Sequence, residues 1–221
     1  VSLTGLTSLD LSGNALTGSI PDGLCSMDVS GDETNCPNAF GSAGCCNSVK
    51  LTDPSPYLNQ IVASNLGTSD CDSLSGSDAS VCGYMKSRSN HDVFATYPSG
   101  FPYDAWLSER FILAQLFYST SMATDYPGWL TTGDHCEWSG ISCSSDKHIT
   151  SVTLQNLNLT GPYPTNLNNL SAMTGLITDG NSLTGVISND ICGMTGIHIE
   201  GDASNCPNAV GTEGCCFTVV A

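Results

Sequence analysis

The stretch Ile149-Thr-Ser-Val-Thr-Leu-Gln-Asn-Leu-Asn-Leu-Thr-Gly-Pro-Tyr-Pro164 decides how the chain is read. It recurs, degraded, from Met173 to Val186, and an edited copy stands at Leu6 to Pro21. All three share an L-T-G kernel, at Leu16–Gly18, Leu159–Gly161 and Leu183–Gly185, and the last two kernels lie 24 residues apart. A fixed period of that length is the mark of a solenoid. Each turn would contribute one short strand, with alternate apolar residues facing inward, and a shaped return on the opposite side. Asn14, in the first copy, stands where a tight coil leaves backbone groups for a side-chain amide to bond.

A second repetition is longer. Asn35-Cys-Pro-Asn-Ala-Phe-Gly-Ser-Ala-Gly-Cys-Cys46 returns as Asn205-Cys-Pro-Asn-Ala-Val-Gly-Thr-Glu-Gly-Cys-Cys216, an offset of 170. At the preceding cysteines, Cys25 and Cys192, the offset is 167, which reads as a three-residue deletion near Leu176 that is made up before Cys206. This is a duplicated cassette, and a knot of four cysteines suits the apolar end that a last coil exposes. Adjacent cysteines rarely pair with each other. Cys45 and Cys46 are therefore expected to bond Cys25 and Cys36, and Cys215 and Cys216 to bond Cys192 and Cys206, with the order open.

Composition narrows the setting. Twenty-one Asp and Glu face five Lys and Arg, a formal charge of −16. That balance repels phosphate backbones and anionic lipid, which argues against nucleic acid and membrane surfaces as partners, and it also simply keeps a protein soluble. Twelve cysteines without zinc spacing point to disulfides and an oxidising compartment. No run is long and apolar enough to span a bilayer. The start at Val1, without a signal peptide, reads as a processed segment of a secreted precursor.

The expected organisation is residues 1–50 as the carboxyl-terminal half of one repeat domain with its cysteine cap, and 51–60 as a linker around Asp53-Pro-Ser-Pro56. A second domain follows over 61–221, with a cap region at 61–148, repeats at 149–191, and the last coil with its cysteine cap at 192–221. Helical spacing appears at Tyr57, Leu58, Ile61, Val62 and Leu66, with Gly67 as the stop. A loop pinned by Cys71 and Cys82 is expected next. Asp70, Asp72 and Asp78 inside it give a weak calcium reading, since Ser75 stands where such a loop wants Gly. A helix is expected over 104–122, with Asp104 as its N-cap and Trp106, Leu107, Phe111, Leu113, Leu116 and Phe117 on its apolar face.

Arg110-Phe-Ile-Leu-Ala-Gln-Leu-Phe-Tyr-Ser-Thr120, Trp129-Leu130, Cys136-Glu-Trp-Ser-Gly-Ile-Ser-Cys143 and Ile149-Thr-Ser-Val-Thr-Leu154 together resemble the amino-terminal cap of plant-type extracellular leucine-rich-repeat proteins. The L-x-G-x-[IY]-P ending of each repeat is that family's variant, and the four-cysteine end is similar to algal secreted forms. The resemblance runs over roughly residues 104–200. It implies an α/β solenoid: short leucine-rich-repeat stacks with parallel β-strands, a helical N-terminal cap and a disulfide-rich C-terminal cap. It further implies a Cys136–Cys143 disulfide with Trp138 packed beside it, and an extracellular or cell-surface location. The family's ladder asparagine is replaced by Leu157 in the first coil and restored at Asn181, and Asp202 ends the ladder.

Function follows less directly. Positions between the inward leucines face the concave side: Ser151, Thr153 and Gln155; Gly175, Ile177 and Asp179; Gly196, His198 and Glu200; and Ser8, Asp10 and Ser12 in the first domain. From this set Ser151, Thr153, Gln155, Ile177, Asp179, His198 and Glu200 are the candidate partner-binding residues. Asp179, Glu200 and His198 could be read as an acid–base set, but an open sheet implies no pocket, so no enzyme is expected. His91, His135 and His148 look scattered, without ligand spacing, and no metal or cofactor is expected. Asn158-Leu-Thr160 and Asn169-Leu-Ser171 are N-glycosylation sequons. The apolar positions Leu3 and Leu6 form an edge that needs cover. A head-to-tail contact with copies of the chain would supply it and build an extracellular fibre or surface layer. The alternative is a recognition module, a receptor ectodomain or wall-enzyme inhibitor, binding a protein or glycan on the concave face. A third reading is glycan or mineral attachment through acidic loops.

Overall fold

The computed structural model describes residues 5–11, 14, 28–32, 48–50, 55–68, 70–87, 103–124, 126–131, 133–202 and 218–220. Three short parallel strands, β1 (Ser8–Asp10), β2 (Asp28–Asp32) and β3 (Ser48–Lys50), form one sheet. Helices α1 (Ser55–Leu66), α2 (Gly76–Lys86) and α3 (Tyr103–Ser119) follow. Next come β4 (Ile141–Cys143), β5 (Ile149–Thr153), β6 (Thr160–Pro162), β7 (Gly175–Ile177), β8 (Ser182–Thr184), the short helix α4 (Asn189–Cys192), β9 (His198–Asp202) and β10 (Thr218–Val220).

The helices form because their apolar residues recur at turn spacing. Leu58, Ile61 and Val62 put one buried stripe on α1. Gly67 closes that helix with φ +70° and donates its N–H to the Ala63 carbonyl at 3.0 Å. α1 begins at Ser55, inside the expected linker, and Pro56 sits in its first turn, where its missing N–H costs nothing. The expected loop between Cys71 and Cys82 is instead a 3-10 turn (Cys71–Ser73) running into α2, which buries Val81, Cys82, Tyr84 and Met85. The disulfide between Cys71 and Cys82 ties that turn to the helix.

α3 packs against both other helices and is buried on nearly every side. Trp106, Leu107, Phe111, Ile112, Leu113, Leu116 and Phe117 are all inside, so the apolar face expected for this helix is close to its full circumference. It starts at Tyr103, which places Asp104 within the first turn rather than at the cap, and it ends at Ser119. From there the Thr120 carbonyl accepts the Thr160 N–H at 3.0 Å, joining the helix to the return side of the first coil.

The main sheet runs β4-β5-β7-β9-β10, with β4 antiparallel and the other four parallel. Val152, Leu176 and Ile199 align across it and are completely buried. Ser151 pairs with Gly175, the same 24-residue pitch as the kernels. Behind it β6 and β8 make a two-stranded parallel sheet, with Thr160 opposite Ser182. Tyr163 and Thr178 bond through their hydroxyls at 2.7 Å in the interior, and burial pushes the tyrosine up to about 12.

Asn181 performs the ladder role expected of it. Its Oδ1 accepts from the backbone N–H groups of Leu157 and Leu159, both at 3.0 Å. Its Nδ2 donates to the carbonyls of Leu154 at 2.7 Å and Thr178 at 2.8 Å. Asn14 repeats the local half of this pattern, donating to Leu11 at 3.1 Å. Asp202 ends the ladder, its carboxylate accepting from Gly180 N and Asn181 N at 2.9 and 3.2 Å.

The duplication extends to strand register. Ser8 pairs with Asp28 as Gly175 pairs with His198, and Ser30 pairs with Ser48 as Glu200 pairs with Thr218. The first sheet is thus a second copy of the β7-β9-β10 arrangement. The offset is still 167 at β1 and at Cys25, and becomes 170 at β2. The later copy's three extra residues therefore lie between Cys192 and His198, not near Leu176.

Candidate functional site

The parallel pairing aligns two rows of residues on the outer face of the main sheet. One row is Ser151, Gly175 and His198, and the other is Thr153, Ile177 and Glu200. The third coil is shifted by two residues from the sequence alignment. His198, not Gly196, stands beside Gly175, while Gly196 occupies the preceding turn with φ +74°.

Beyond the strand ends, Gln155 Nε2 donates to Asp179 Oδ1 at 2.6 Å, bridging the first two coils. Asp179 is only 8% exposed, so it orients Gln155 rather than meeting a partner itself. On β9 the His198 ring nitrogen Nε2 lies 2.8 Å from Glu200 Oε1. The histidine side chain is 46% exposed and the glutamate 26%. The accessible groups are therefore Ser151, Thr153, Gln155, Ile177, His198 and Glu200, an apolar centre with a polar and acidic surround. Three of the polar groups, Gln155, His198 and Glu200, are already oriented by bonds within the face.

A different set of polar residues is drawn into the joint between the helices and the first coil. Glu109, on α3, accepts the Ile149 N–H at 3.0 Å, and its other oxygen lies 2.9 Å from His148 Nδ1. His135 is fully buried against Trp106, with its Nε2 3.7 Å from Glu109, beyond hydrogen-bond reach. The two histidines that look scattered in sequence therefore meet at one carboxylate. Arg110 lies beneath them. It donates to the Tyr84 hydroxyl at 3.0 Å, to the Gly133 carbonyl at 2.9 Å and to the Thr131 carbonyl. Its guanidinium carbon is 4.7 Å from the Trp138 ring centre and 5.2 Å from that of Trp106. Burial pushes the Tyr84 hydroxyl up to about 12. Buried charge with this many partners belongs to a structural joint. Two-residue sequence patterns could not reveal it, because its members come from α2, α3, the 3-10 turn (His135–Glu137) and β5.

Cys136 and Cys143 form the disulfide that the resemblance implied, and buried Trp138 packs against Trp129 with ring centres 5.2 Å apart. His135 lies within 4.8 Å of both sulfurs, which the disulfide already joins. Cys192 is also disulfide-bonded. Cys25, Cys36, Cys45, Cys46, Cys206, Cys215 and Cys216 lie outside the described residues, as do Leu3, Ser12 and His91. Leu6, at the proposed assembly edge, is 37% exposed.

The three carboxylates of the calcium reading are engaged separately. Asp70 caps the 3-10 turn through Asp72 N at 2.9 Å, Asp72 pairs with Lys86 at 2.6 Å, and Asp78 accepts from Gln115 at 2.8 Å. Among the described residues they do not form a cluster of ligand atoms. The two sequons differ. Asn158 sits exposed in the turn after β5, with φ +54°. Asn169 ends a 3-10 turn (Leu167–Asn169) and donates its Nδ2 to Asn65 of α1 at 3.1 Å.

The Leucine Rich Repeat family model matches residues 5–27, the edited first copy of the kernel. The chain is similar to plant leucine-rich-repeat receptor kinases. It is 32% identical over 98 residues to the Receptor-like protein kinase HSL1 of Arabidopsis thaliana, covering 43% of this chain and 10% of that protein. With Receptor-like protein kinase 5 of the same plant it shares 36% identity over 55 residues, covering 25% and 6%. The chain thus spans a tenth or less of these relatives. Among solved structures it is similar to a chain of the PEPR1–AtPEP1 crystal structure, at 17% identity and TM-score 0.39, covering 43% of this chain and 15% of that one. A plant ice-binding protein gives 21% identity and TM-score 0.39, covering 43% and 32%. No helix of the described residues is long and apolar enough to cross a membrane.

Proposed function

We propose that the chain is a non-catalytic, extracellular protein-recognition module of the leucine-rich-repeat kind, and that it binds its partner on the outer face of β5, β7 and β9. The carrying observation is the arrangement of that face. Ile177 supplies an apolar centre, and Gln155, just past β5, and His198 and Glu200, on β9, surround it with their side chains already oriented. Preoriented groups lose less freedom on binding, so more of each contact appears as affinity. Among the described residues the face carries Glu200 and no Lys or Arg, in a chain of net charge −16, so a partner surface with basic side chains around an apolar contact complements it. The similarity to receptor-like kinases supports the same reading.

A photo-crosslinking residue placed at Thr153 should capture a partner protein from the native extracellular fluid, and the same probe at Val186, 56% exposed in the segment after β8, should not. Glu200→Lys should weaken the captured interaction about tenfold, equivalent to roughly 1.4 kcal/mol. Equal capture from both positions, or indifference to Glu200→Lys, would overturn the assignment of the face.

A further inference from the structure

We propose that the folded protein carries one N-linked glycan, on Asn158, and none at the second sequon, Asn169, because a sugar on that amide competes with the docking of helix α1. The proposal depends on passage through a secretory pathway and on nothing else about the partner or the face.

The two acceptors have similar local sequences, Asn158-Leu-Thr160 and Asn169-Leu-Ser171, and both residues are exposed. They part in tertiary structure. Asn158 lies in the turn between β5 and β6, where its side chain has no hydrogen-bond partner among the described residues and Thr160 is also exposed. The left-handed backbone at φ +54° is one that asparagine tolerates better than most residues. A sugar on this nitrogen displaces nothing.

Asn169 is different because its nitrogen is part of the seam between the repeats and the helical cap. Nδ2 donates to Asn65 Oδ1 at 3.1 Å across 104 residues of sequence. Asn65 is buried and bonded on every side. It donates to Ile61 O at 2.9 Å and Ser108 Oγ at 2.8 Å, and its Oδ1 also accepts from Asn166 at 3.3 Å. Asn166 donates in turn to Gln115 Oε1 at 2.7 Å, and Gln115 to Asp78 at 2.8 Å. Modification replaces one N–H of Asn169 with an N–C bond to a sugar ring. That ring would sit against Asn65, Asn166 and Gln115, which are buried, and would crowd the outermost link of the network. Docking of α1 against the Leu167–Asn169 turn and modification at Asn169 therefore compete, and a chain modified there loses the docked cap.

The test is glycopeptide mass spectrometry of the full chain exported from a eukaryotic secretory host behind a host signal peptide. Since export is imposed, the result reports acceptor geometry and not the native compartment. Glycan at Asn158 alone is expected. Asn158→Gln should then remove all glycan mass from the secreted protein, while Asn169→Gln should leave that mass unchanged. A glycan at Asn169, whether alone or together with one at Asn158, overturns the proposal, and so does secreted protein with neither site modified.

Discussion

Asn181 shows how much one amide can carry. Four backbone groups from two coils converge on it, and the coil geometry gives them no other partner on this side. Asn181→Ala should therefore cost about 2–3 kcal/mol, the range for leaving partly buried backbone groups unsatisfied. Asn181→Asp should restore only the accepting half. A urea midpoint no lower than wild type for the alanine variant would contradict the ladder. His135 makes the pH argument. Burial, the largest influence, lowers its proton affinity; Glu109 and Asp134 oppose that, while Arg110 adds to it. The unfolded chain then binds a proton that the folded one resists. Stability should be full above the unfolded value of about 6.5 and fall as the pH drops below it. His135→Phe should flatten this slope in urea midpoints taken between pH 7 and pH 5.

At the scale of elements, α3 and β6 meet at a contact that admits no side chain. Gly161 has φ +95°, and a Cβ there would run into the Ser119 carbonyl. Gly161→Ala should lose about 1–3 kcal/mol from backbone strain alone, with a further loss from separating the helix end from the coil. A thermal midpoint equal to wild type would show that the contact gives way freely. The Cys71–Cys82 disulfide closes a span of 11 residues, for which chain entropy predicts about 3 kcal/mol. Replacing both cysteines with serine should lower stability by that order and expose the turn before α2 to proteolysis first. The helix spanned by this disulfide is not evident from the Ser, Asp and Gly composition of residues 72–80. Its buried residues, Val81, Cys82, Tyr84 and Met85, are clustered in its second half and take their helical setting from packing on α3.

For the molecule as a whole, the acidic charge and the open face make one joint prediction. Binding of a basic partner should weaken as salt rises from 50 to 500 mM, because exposed charges separated by more than a Debye length, about 10 Å at 0.1 M, are screened. A salt-insensitive association would place the energy on Ile177 and its apolar contacts instead. The period of the kernels, the ladder at Asn181 and its end at Asp202 were all legible in the chain. They follow from local repetition, since a coil that repeats must satisfy the same backbone and bury the same positions each time. The Asn35–Cys46 and Asn205–Cys216 cassettes likewise announced the duplicated sheet whose register now matches pair for pair. Tertiary structure alone decided which polar residues remain available. It withdrew Asp179 into a bond with Gln155, moved the third coil two residues in register, gathered His135 and His148 onto Glu109, and set Asn169 against α1 while leaving Asn158 free. Repetition dictates which side of a strand a residue faces. What meets it there depends on segments up to about a hundred residues away, brought together by burial of a core that no local pattern specifies.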